Sequence, residues 1–85
     1  MRCESPDDLN RFVGQVRADL ETAGLQEAAE RLAEIQRTAF TTGSEWLGEL
    51  GAAVREIRRE GALDPELDAK LERIMVQVRR VWPHM

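Results

Sequence analysis

Four blocks of apolar residues recur in steps of three and four along this chain, each bounded by a proline or a glycine. Its 85 residues must therefore resolve into short amphipathic helices that cover one another. The first block is Leu9, Phe12, Val13, Val16 and Leu20, and the second is Leu25, Ala28, Leu32, Ile35 and Ala39. Trp46, Leu47, Leu50, Val54 and Ile57 make the third. Leu67, Leu71, Ile74, Met75, Val78, Val81 and Trp82 make the fourth. Such spacing follows the 3.6-residue turn and places each block on one helix face. Ala, Leu, Glu and Arg, all strong helix formers, are abundant, and Tyr is absent.

The residues between the blocks say where each helix starts and stops. Ser5-Pro6-Asp7-Asp8 supplies a capping hydroxyl, a proline suited to the first turn and two acids facing the positive end of the helix dipole, which predicts a helix over 6–23. Gly24 can take the left-handed conformation that closes a helix, so a second helix over 25–39 follows in a tight hairpin. Its Glu27, Glu30, Arg31 and Glu34 occupy the outer faces, with Glu27 and Arg31 spaced as an i,i+4 pair. The pattern loosens from Thr38 to Gly43, where β-branched residues and a glycine interrupt the good helix formers. A break there gives four helices, whereas a helix continuing through it gives three.

Thr42-Gly43-Ser44-Glu45 has the spacing of a capping box and opens a helix over 43–60 that closes at Gly61 after Arg55, Arg58 and Arg59. Gly48, Gly51, Ala52 and Ala53 thin one part of this helix, so a neighbour can approach closely. Asp64-Pro65-Glu66 repeats the logic of the first start, and a helix over 65–82 runs to Pro83. The expectation is an all-α fold, one domain over 1–85, built as a small up-down bundle of four, or three, antiparallel amphipathic helices joined by short connections. That arrangement gathers Phe40, Trp46 and Trp82 at one end of the bundle, with Phe12 less than two turns away. Either these aromatics close the core, or Trp46 or Trp82 stays partly exposed and anchors a partner helix or a second copy of the chain.

Chemistry is harder to find. The one cysteine, Cys3, allows no intramolecular disulfide, and Met1 to Asn10 lacks the apolar stretch of a signal peptide. A cytoplasmic setting is expected, and the preference for Arg over Lys fits a bacterial, G/C-rich coding sequence. Cys3 and His84 lie at opposite ends of the chain, so no Cys–His pair, zinc pattern or di-iron Glu-x-x-His motif emerges. Glu45, Glu49 and Glu56 read as solvated charges, and Gly43, Gly48 and Gly51 match no phosphate-binding fingerprint. No enzymatic activity, cofactor or metal is expected.

The net charge of −4, from sixteen acids against twelve bases, disfavours general attraction to phosphate. Two arginine clusters nonetheless keep nucleic acid as an alternative partner: Arg55, Arg58 and Arg59 in the third helix, and Arg73, Arg79 and Arg80 in the fourth. Antiparallel packing puts them towards opposite ends of the bundle, and arginines near helix C-termini are favoured by the dipole without any ligand. The leading expectation is therefore a non-enzymatic helical protein acting through protein–protein interaction or self-association, with a homodimer as one form. A small nucleic-acid-binding regulator using the arginines of the third or fourth helix is the alternative.

Overall fold

A computed structural model describes residues 6–38, 42–61 and 63–84 of the chain. Its helices are α1 (Pro6–Thr22), α2 (Gln26–Arg37), α3 (Gly43–Glu60) and α4 (Pro65–Val81). Each packs on its neighbours in chain order, and α4 closes the ring on α1, while the diagonal pairs barely touch. This is an up-down bundle with a square cross-section, and α2 and α3 are separate helices. Thr38 and Thr42, which flank residues 39–41, both have extended backbones, with ψ of 132° and 159°.

The ends of the helices follow local chemistry. Gly24, at φ +83°, sits in a Schellman turn: its N–H donates to Glu21 O at 3.0 Å and the Leu25 N–H to Leu20 O at 2.9 Å. Helix α1 therefore ends at Thr22, and Leu25 serves as the N-cap of α2 without a side-chain bond. The second helix stops at Arg37, short of the expected 39, because Thr38 leaves the helical region. Its hydroxyl and its N–H both turn back to Glu34 O, at 2.8 and 3.0 Å. Thr42 Oγ1 accepts from the Glu45 N–H at 3.2 Å, and Asp64 Oδ1 from the Leu67 N–H at 2.8 Å, so both residues cap as expected, although the Glu45 carboxylate makes no return bond to complete the capping box among the described residues. Trp82 falls just outside α4, with φ −120° ahead of Pro83. The expected cap at Ser5 lies outside the described residues.

Inside the ring, Phe12, Val16 and Leu20 of α1 meet Leu32 of α2, Leu50 and Val54 of α3, and Leu71, Ile74 and Val78 of α4 in one buried cluster. Among the described residues no polar or charged side chain is buried. The accessible surface is 5396 Å². A folded monomer of this mass exposes roughly 5,100 Å². One chain thus closes its own core without help from a second.

Polar side chains tie each pair of neighbouring helices on the outside. Gln36 of α2 donates to Asn10 O and Oδ1 of α1 at 2.9 and 3.0 Å and accepts from Arg17 Nη1 at 3.0 Å. Arg31 of α2 pairs with Glu56 of α3, so the side chain expected to pair with Glu27 within its own helix reaches across to the next one. Arg58 of α3 reaches Asp68 and Glu72 of α4 at 2.9 and 2.8 Å, and Lys70 of α4 meets Asp19 of α1 at 2.6 Å. Pairs this exposed set the order and register of the helices more than they add stability.

The glycines separate by role, which gives a test of the packing. A Cβ on Gly48 would stand 3.5 Å from the Trp82 ring, and one on Gly14 would stand 3.8 Å from Gln36 Nε2, both ordinary contact distances. Gly48→Ala and Gly14→Ala should each stabilise by about 0.5–1 kcal/mol through helix propensity alone. Gly24→Ala has open space but a left-handed backbone, and should destabilise by about 1 kcal/mol. Thermal melts of the three variants check both signs. A loss of stability in Gly48→Ala would mean that Trp82 packs more tightly on α3 than these distances allow.

Candidate interaction surface

Residues with an apolar surplus after the core has closed are few. Among the described residues the exposed large hydrophobics are Val76, Val81 and Trp82, at 45%, 45% and 41%. Val76 stands on the outer face of α4 among charged residues, whereas Val81 and Trp82 are consecutive at the helix end. Trp82 crosses to the first turns of α3: its Nε1–H donates to Ser44 O at 2.8 Å and its ring rests on Gly48. The ring lies along α3 at a distance that would leave a Cβ at 48 in ordinary contact, and the hydrogen bond fixes its rotation.

Of the three aromatics expected at this end, Trp46 is half-buried and packs on the core, and Trp82 holds the edge of α3 while keeping part of its surface open. Phe40 lies outside the described residues. Phe12 is a core residue, 5% exposed, with the Arg73 guanidinium 5.7 Å from its ring centroid. The described aromatics thus differ in placement: Phe12 fills the core, Trp46 packs against it, and Trp82 combines a structural contact with an open face.

The arginines proposed as a basic patch are also divided. Glu72 accepts from Arg58 Nη1 and from Arg79 Nη1, each at 2.8 Å, and Asp68 holds Arg58 from the other side. The two clusters expected near opposite ends are therefore linked through one carboxylate midway along α4, because long arginine side chains span two helical turns. Arg79 and then Arg58 hold the Glu72 carboxyl below its ordinary range, and Asp68 and Glu72 raise the Arg58 guanidinium further above its own. A depressed carboxylate favours the folded state above its unfolded pKa, and this contribution fades as pH falls through the folded one. Arg55, Arg59 and Arg80 are exposed and make no ion pair among the described residues.

Periodicity alone missed a second feature, at the opposite end of the bundle. The α1–α2 turn and the segment leaving α3 leave an open cleft of about 330 Å³ over Leu25, Ala28, Ile57 and Leu63, with Glu27 and Glu60 on its walls. The two positive-φ glycines, Gly24 and Gly61, border it, and their lack of side chains is the one sequence signal that it leaves. Among the described residues no group of three or more His, Cys, Asp or Glu side chains is placed to hold a metal ion. No helix among them is long and apolar enough to cross a membrane. No protein-family model, curated protein or solved structure matches this chain.

Proposed function

We propose that this chain is a non-catalytic helical module that works by holding a protein partner, another chain or a second copy of itself, at the bundle end formed by Trp46, Val81 and Trp82. The observation that carries this reading is the state of Trp82. Its indole is fixed by Ser44 O and Gly48 while 41% of the residue remains open beside an exposed Val81. A tryptophan already locked in one rotamer loses little entropy on binding, and tryptophan is among the residues that most often dominate an interface. The self-contained core supports optional association rather than an obligate dimer. A single cysteine, with nothing to gain from an oxidising compartment, supports a cytoplasmic setting.

Nucleic acid is the weaker reading, because Arg58 and Arg79 already serve carboxylates and the remaining exposed arginines stand on an acidic protein. The proposal is tested with wild type and Trp82→Ala side by side. Light scattering across a concentration series reports self-association, and capture on the immobilised proteins reports other partners. At least one association should be present in wild type and reduced tenfold or more in Trp82→Ala, a loss of about 1.4 kcal/mol. Associations that are absent, or identical in the two proteins, would overturn it.

A further inference from the structure

The two ends of the bundle differ in charge. At the turn end, Glu21, Glu27, Glu60, Asp64 and Glu66 are all exposed, while Lys70 is occupied by Asp19 and Glu66, which leaves Arg59 as the exposed base beside them. Between these acids lies the cleft over Leu25, Ala28, Ile57 and Leu63, and its wall carboxylates Glu27 and Glu60 make no ion pair among the described residues. The α4 corner at the other end of a particle 31 Å long presents the reverse combination: Arg79 is held by Glu72, and the exposed Arg80, which makes no ion pair among the described residues, is followed by exposed Val81 and Trp82.

We infer that the acidic cleft at the turn end receives the α4 corner of a second copy, so that the chain associates head to tail, with Val81 in the cleft and Arg80 against Glu27 and Glu60. The inference rests on the proposed function and names the partner. Three features of the two surfaces support it. The cleft is apolar at its floor and anionic at its walls, and the corner is apolar at its tip and cationic on its flank. The opposed helix ends at the cleft, the start of α2 and the finish of α3, largely offset one another, so the wall carboxylates set its sign. Both surfaces are also open in the single chain, so neither must unfold to meet the other.

Joining opposite ends is a heterologous contact, which leaves one cleft and one corner unused in every open assembly and permits short chains instead of an isologous dimer. The exposed apolar area is small, so the contact belongs to the weak, transient class, with dissociation constants on the order of 100 μM. Opposite charges at its rim make it salt-sensitive.

The test is light scattering of the intact protein from about 10 μM to 1 mM, at low and at high salt, which brackets that weak affinity. Wild type should gain mass with concentration and lose most of the gain in high salt. The double variant Glu27→Lys/Glu60→Lys and the single variant Arg80→Glu should each remain monomeric alone, and a mixture of the two should associate, because one keeps a working corner and the other a working cleft. All three substituted positions are exposed, and unchanged circular dichroism confirms that the variants are folded. A wild type that stays monomeric throughout, or that associates equally with either set of charges reversed, would overturn the inference. Trp82-dependent capture of a different protein by a monomeric chain would leave the proposed function standing and remove only this one.

Discussion

Leu71→Asp should leave the chain without a cooperative fold at 25 °C, and Leu32→Asp should do the same from the diagonally opposite helix. Both leucines are completely buried in the one cluster that all four helices share. The substitution removes roughly 2–3 kcal/mol of apolar burial and places a carboxyl where no polar side chain is otherwise found. An ionised carboxylate there lacks a partner, and a protonated one still lacks a hydrogen-bond acceptor, so several further kcal/mol are lost in either state. A domain of this length has a total stability of about 5–10 kcal/mol. Val76→Asp is the matched control: it introduces the same side chain five residues along the same helix at a position already 45% exposed. It should change stability by no more than about 0.5 kcal/mol. Urea titrations followed by far-UV circular dichroism separate the two, and a cooperative Leu71→Asp transition close to wild type would mean that the bundle is assembled on other faces.

The contrast between positions 71 and 76 shows what sequence periodicity could and could not reveal. Steps of three and four identified Leu71 as a core residue, and the same rule placed Val76 outside the stripe. Caps were equally legible at Gly24, Thr42 and Asp64, because capping depends on residues within a few positions of one another. The early stop at Thr38 was less visible, since Ala39 continues the apolar spacing and the stop rests on the extended backbone of Thr38, at ψ 132°.

Contacts between helices fall outside such local rules. Arg31 was spaced for Glu27 but pairs with Glu56, and Arg58 of α3 reaches Asp68 and Glu72 of α4, because rotation of each helix about its axis decides which charges face each other. The candidate surface was legible in part for the same reason. Antiparallel order brought Trp82 to the start of α3, as expected, but its exposure depends on a non-helical φ ahead of Pro83 and on the hydrogen bond to Ser44 O. The cleft is formed by two turns that are remote in sequence, so no single stretch of the chain describes it.

Truncating the aromatics one at a time should separate core from surface by a wide margin. Phe12→Ala should cost about 3–5 kcal/mol, because a ring that is 5% exposed leaves both lost transfer energy and a cavity behind it, and Arg73 loses the π face that it covers. Trp82→Ala removes a larger side chain, yet it should cost only about 1–2 kcal/mol, since much of the indole already meets water and the released Ser44 carbonyl can be hydrated. Residue size alone predicts the opposite order, so the ranking tests burial rather than volume. Melting temperatures should follow it, with a shift of roughly 4–8 °C for each kcal/mol in a domain of this size. Equal losses at the two positions would make Trp82 part of the core and remove the open aromatic face on which the proposed association depends. A small loss at Trp82 together with weakened association would assign its packing to α3 and its open face to a partner, two uses of one side chain that stability and binding measure separately.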